Sequence, residues 1–146
     1  MSDETAEGFS AEERAAMKER AEELKPKRKS GKKQTPEEDE AEVLDRISEL
    51  SGSDRVIAER IHELVAENAP DLAPKTWYGM PAYAKDGKVV FFFQAAGKFK
   101  TRYATLGFND NANIDDGALW PTAFAITELT ASGEKKIAQL IAQSIS

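Results

Sequence analysis

Between Trp77 and Gln94, two apolar, β-favouring runs flank the dipeptide Asp86-Gly87. A two-residue hairpin turn needs positive φ at its centre, and Asp-Gly tolerates that, so this segment is held to an antiparallel hairpin. The second arm, Val89 to Phe93, is apolar without alternation, which predicts a strand covered on both faces in the middle of a sheet. The first arm carries Gly79 and Pro81. Glycine in a strand pattern marks a bulge or a close backbone approach, and proline cannot donate to a ladder, so this arm is expected at an edge or irregular at that point.

Helices precede and follow the hairpin. Thr35-Pro36-Glu37-Glu38 combines an N-cap, proline at the first helical position and a capping box. Val43, Leu44, Ile47 and Leu50 then mark one apolar helical face. Ser51-Gly52-Ser53 separates a second helix, with Ile57, Ile61, Leu64 and Val65 inward, which Asn68-Ala69-Pro70 closes before Asp71 to Pro74. Beyond the hairpin, Phe99, Thr101, Tyr103 and Thr105 alternate with Lys100, Arg102, Ala104 and Leu106, predicting a third strand over Lys98 to Phe108. Asn109 to Gly117 reads as a loop, Ala123 to Glu128 as a fourth strand. Thr130 or Ser132 caps a last helix with Ile137, Leu140, Ile141 and Ile145 on its inner face. The fold class expected is α+β: two N-terminal helices, a four-stranded, mainly antiparallel sheet and a C-terminal helix.

This domain is expected over residues 35–146, and residues 1–34 as a flexible charged extension. Residues 1–9 are poor in apolar side chains and expected to be disordered. Ser10 and Glu13 form a second capping box, opening a helix that Pro26 stops. Its apolar stripe, Met17, Ala21 and Leu24, is too narrow to fold alone, so the expectation is a partly formed helix in a mobile tail. The run Lys25 to Lys33 is basic, with Pro, Ser and Gly and nothing apolar, and reads as a solvated linker. It has no interleaved aromatic to stack on bases, so a nucleic-acid role is not expected of it.

Net charge is −6, and most of the acidic excess lies before residue 70. Such a chain repels phosphate backbones, which argues against nucleic acid as its main partner. Cysteine is absent, which removes disulfides, thiolate nucleophiles and Cys-type metal centres. No apolar run approaches the ~20 residues of a bilayer span, and the acidic start lacks an apolar leader segment. A cytoplasmic protein with no membrane partner is the expectation.

Trp77, Tyr78, Met80, Pro81 and Tyr83 lie on one bent strand and can wall an apolar groove ending in phenolic hydroxyls, a candidate site for a small ligand or a protein partner. The same residues also make ordinary core. No catalytic constellation is legible, and no catalytic residue is assigned. His62, the single histidine, sits beside Glu59 and Glu63 outside the helix's apolar face and reads as a surface residue. Glu38, Glu42, Asp45 and Glu49 recur at spacings of four, three and four on one helical face. That ridge offers a hard cation only loose oxygen ligation, and otherwise is the solvated side of the helix.

The segment Tyr78-Gly79-Met80-Pro81-Ala82-Tyr83 resembles the signature of the YdhG-like family, a bacterial domain of unknown function. The order of elements agrees over roughly residues 36–145, including Pro70 before the signature and Leu119-Trp120-Pro121 before the fourth strand. The resemblance implies the α+β fold given above. Some relatives are described as frataxin-like iron chaperones, which makes iron on the acidic ridge the alternative to a cofactor-free binding domain. Many relatives carry Lys-His in the third strand. This chain has Lys98-Phe99-Lys100-Thr101-Arg102-Tyr103 there, so no role for that histidine carries over.

Overall fold

The computed structural model describes residues 10–24 and 34–146. Asp86 and Gly87, at φ 53° and 82°, join β2 (Met80–Lys85) to β3 (Lys88–Gln94), the expected hairpin. A second turn of the same kind stands just before it. Tyr78 and Gly79, at φ 54° and 77°, join β1 (Ala73–Trp77) to β2. Paired positive φ values fit the right-handed twist of the flanking strands, which is why glycine is needed in both turns. Gly79 is therefore a turn residue and not a bulge. The register shift lies further on, between Tyr83 and Ala84.

β3 pairs with β4 (Ala104–Phe108), and β4 with β5 (Ala123–Ile126), completing a five-stranded meander in the order β1-β2-β3-β4-β5, antiparallel throughout. The α+β class stands, with five strands where four were expected. The extra strand, β1, contains Pro74, and its edge position accommodates a residue that cannot donate to a ladder. Pro81 is not at the edge, since β2 lies between β1 and β3. In a two-residue hairpin the closing pair, Trp77 and Met80, bonds across β1, so the next N–H faces the other way. Pairing with β3 begins only at Ala82↔Phe92, and the missing proline donor breaks no rung.

Of the strand expected over Lys98 to Phe108, only Ala104–Phe108 forms, and Lys98 and Phe99 belong to a helical turn. Residues Ala96–Phe99 form a single turn, α4, and Lys100 ends it in the left-handed region. The cause is remote. Asp54 accepts from the Ala96 and Gly97 N–H groups at 3.1 and 2.8 Å, and capping two free donors outweighs the period-2 pattern.

α2 (Pro36–Ser48), α3 (Gly52–Asn68) and α5 (Ala131–Ser144) supply the helical layer. Thr35 makes the expected capping box with Glu38, and Thr130 caps α5 through the Gly133 N–H. α2 packs on β1 and β2, and α5 on α3. Val43, Ile47, Ile57, Ile61, Leu64, Val65, Ile137, Leu140 and Ile141 are buried as expected, but Leu44 turns outward, 48% exposed. Tyr83 stacks on Phe91 with ring centroids 5.2 Å apart, and Phe91 meets Phe108 at 5.3 Å. Burying each such ring contributes about 1.5–3 kcal/mol.

α1 (Ala11–Leu24) begins with the expected Ser10–Glu13 capping box. It packs on β1 and α4, and of the expected stripe the Leu24 side chain lies outside the described residues. Met17 is 39% exposed and Ala21 is exposed, whereas Ala16 is buried. The expectations for residues 1–9 and for the basic linker 25–33 lie outside the described residues. Among the described residues no helix is long and apolar enough to cross a membrane.

Candidate functional site

The turn that ends β1, the helical turn α4 and the α2–α3 junction meet around a groove of about 390 Å³. Its apolar wall includes Leu50, Met80, Pro81, Phe93 and Ala95, and its rim carries Glu19, Arg46, Glu49, Asp54 and Lys98. Distant segments build it. β2 contributes the Met-Pro step, α4 presents Lys98, the last turn of α2 presents Arg46, and Glu19 arrives on α1. Asp54 caps α4 and so fixes where Lys98 stands.

The charges of the rim are joined. Lys98 Nζ donates to Glu19 Oε1 at 2.7 Å and to the Gly79 carbonyl at 3.1 Å. Arg46 donates to Glu19 Oε2 at 2.9 Å. One carboxylate thus bridges two cations, all three side chains being between a quarter and a third exposed. Glu23, whose side chain is only 9% exposed, takes the Tyr78 and Gly79 N–H groups at 3.1 and 3.0 Å. A Cβ at Gly79 would fall on the Glu19 carboxylate and the Lys98 ammonium. Glycine is required here twice, for its φ and for this close approach.

The five residues expected to wall a groove separate. Met80 and Pro81 line it. Trp77 and Tyr78 are half-buried and meet edge to face at 4.9 Å, and Trp77 packs at 5.2 Å against Phe92 on the sheet face turned away from Tyr83. Alternation puts Trp77 and Phe92 on one face and Tyr83 and Phe91 on the other, while Met80, the cross-strand partner of Trp77, and Pro81 reach the groove at the turn end of β2. Tyr83 is wholly buried in the core.

His62 is not the free surface residue its sequence position suggested. Its side chain is 15% exposed, its Nε2 lies 2.9 Å from Glu40, and its Nδ1 lies 2.9 Å from the Tyr83 hydroxyl. With a proton on Nε2 directed at Glu40, Nδ1 accepts from the Tyr83 O–H and every group is satisfied. Burial, with a smaller contribution from the Glu40 charge, raises the Tyr83 pKa far above the ordinary phenol value. The chain Glu40–His62–Tyr83 clamps α2, α3 and β2 together. Its inner end is sealed from any substrate.

The acidic ridge divides as well. Glu38 is turned back to the Thr35 N–H at 2.8 Å. Glu42, Asp45 and Glu49 face Glu19, Glu22 and Glu23 of α1 across a second cavity of about 330 Å³ that also holds Arg46. Among the described residues no three His, Asp or Glu side chains stand where they could hold one metal ion.

Arg46, Asp54, Lys98, Glu19 and Glu23 were not legible as site residues. The bonds that join them to one another and to the two backbone turns span 19 to 79 positions, and no local spacing encodes such pairs. Comparison with known proteins returned no match: no family model, no curated protein and no solved structure aligns with the chain.

Proposed function

We propose that this chain is a YdhG-like domain that binds a small ligand, without chemistry on it, in the groove beside Gly79, Met80 and Pro81. The observation that carries the reading is the groove's composition: an apolar wall of Leu50, Pro81 and Phe93 under a rim with both signs of charge. Few convergent polar groups over an apolar wall are the usual form of a small-molecule site. Binding is favoured over catalysis because the linked acid–base chain Glu40–His62–Tyr83 ends on a phenol sealed in the core. The cytoplasm is the proposed setting, which a cysteine-free chain suits.

The test is a screen of small polar compounds by ligand-observed magnetic resonance, run on the full chain and on Ser51→Trp. Ser51 lines the groove, and its side chain makes no capping bond, so the indole fills the space without removing a support. Compounds that bind the natural chain and lose at least ~10-fold with Ser51→Trp support the reading. A screen whose hits bind both chains equally, or which yields no hits, overturns it.

A second reading is a loose carrier of ferrous iron of the frataxin type. It draws on the opposition of Glu42, Asp45 and Glu49 to the α1 carboxylates across the second cavity. Oxygen donors of this kind suit a hard cation. Equal, weak iron binding by the natural chain and by Glu42→Gln/Asp45→Asn/Glu49→Gln would end that reading.

A further inference from the structure

Glu19 and Glu23 stand one turn apart on α1, and both carboxylates reach Gly79. Four donors from outside α1 meet them there, beside Arg20 of α1 itself, which donates to Glu23 Oε1 at 3.4 Å. The Tyr78 and Gly79 N–H groups point at Glu23, and the Lys98 ammonium and Arg46 guanidinium at Glu19. All four donors belong to the domain of residues 35–146, and both acceptors belong to α1.

Consecutive N–H groups in a tight turn, backed by cations, make a concave anion site. Among the described side chains of α1 apolar burial is slight, with Ala16 buried and Met17 39% exposed, and Arg20 lies over the Tyr78 ring at 5.7 Å. Helix α1 is held by what its carboxylates find. Lys98 and Arg46 also rim the groove, so an anionic group at this site and a ligand body against Pro81 and Phe93 belong to one continuous surface.

Resting on the groove reading, we propose that Tyr78, Gly79, Lys98 and Arg46 form a binding site for a small dianion bearing phosphate or carboxylate groups, and that Glu19 and Glu23 occupy it as a built-in competitor which the ligand displaces. A competitor carried on the same chain acts at an effective concentration rather than at its bulk one. The ligand's apparent affinity is then lowered by the fraction of molecules with α1 docked, and removing the competitor restores it.

The experiment titrates the full chain and Glu19→Gln/Glu23→Gln at about pH 6, where both probes are mainly dianions, with inorganic pyrophosphate and, separately, with glutarate, against sodium chloride at matched ionic strength. Backbone amide spectra are read at Tyr78 and Gly79 for the site and at Glu12 to Glu23 for α1. In the natural chain one or both dianions move the two turn amides and shift the α1 amides towards unstructured values, which chloride does not do. In the double variant the same dianion half-saturates at a concentration lower by roughly tenfold or more. Adding Lys98→Met to the double variant abolishes that gain. Response to pyrophosphate alone assigns a phosphate ligand, and response to glutarate alone a carboxylate ligand.

The proposal is overturned if the double variant binds neither dianion more tightly than the natural chain, or if α1 stays docked while the turn amides saturate. Its failure is separable from that of the groove reading. A screen hit that moves the Ser51 and Gly97 amides but leaves Gly79 and α1 unchanged overturns the displacement and leaves the groove standing. Displacement by dianions with no hit sensitive to Ser51→Trp does the reverse.

Discussion

The Glu23 carboxylate accepts from the Gly79 N–H at 3.0 Å across 56 positions of chain, closing the turn between β1 and β2 from outside the domain. The same device recurs on the other bank of the groove, where Asp54 takes the Ala96 and Gly97 N–H groups. Each carboxylate satisfies two backbone donors that local structure leaves free. The groove is thus framed by two backbone turns, each pinned by an acid from a helix.

Gly79→Ala is expected to weaken the Glu19 and Glu23 contacts together. The methyl would fall on Glu19 and Lys98, and φ of 77° is unfavourable for alanine. The backbone cost alone is about 1–2 kcal/mol. Amide exchange should rise throughout α1, with the Phe91 and Leu106 amides still protected. Unchanged α1 protection would count against Gly79 as the keystone of docking.

Tyr83→Phe removes the donor that His62 Nδ1 faces, at an expected cost of about 1–3 kcal/mol by chemical denaturation. The pH dependence has a definite sign. Folding raises the Tyr83 pKa above its ordinary value of 10.0, first through burial and then through Glu40. The unfolded chain therefore loses this proton first. The contribution is whole below the ordinary phenol range and is lost as pH rises through it towards the folded value. Stability of the natural chain should fall in that alkaline window, with Tyr83 ionising only as the chain unfolds, and Tyr83→Phe should flatten the fall.

At the acid end the expected change is in α1. The Lys100 ammonium, bonded at 3.0 Å, holds the Glu12 carboxyl below the usual carboxylate range. The folded pKa is lowered, so this contribution is present above the unfolded value and fades as pH falls through the folded one. Exchange at the first turns of α1 should quicken in acid ahead of the sheet. Because the pair is exposed to solvent, added salt should produce a similar loosening at neutral pH.

Phe91→Ala tests the core. Phe91 is fully buried between Tyr83 and Phe108 and is expected to cost about 3–5 kcal/mol on truncation. Phe92→Ala, one position along and half-buried on the other face, should cost less. Equal losses in denaturant midpoints would contradict the assigned faces.

The elements that the sequence displayed are those set by local chemistry. The Asp86-Gly87 turn, both capping boxes and the inner faces of α3 and α5 follow from spacings within a few residues. Where a distant group intervenes, the local pattern misleads. Lys98 and Phe99 open a stretch that reads as a strand yet close a helical turn under Asp54, and His62 lies off the apolar stripe yet is drawn inward by Tyr83 and Glu40. The candidate site is almost wholly of this second kind. Its Met80–Pro81 wall was visible in advance, and Glu49 only as part of the acidic ridge.

The most direct test of the account is an amide chemical-shift map of the full chain with the tightest small-molecule hit bound. The account predicts the largest changes at Gly79, Met80, Gly97 and Lys98, around the groove. Changes centred instead on Trp77, Phe92 and Gly107, on the opposite face of the sheet, would contradict it.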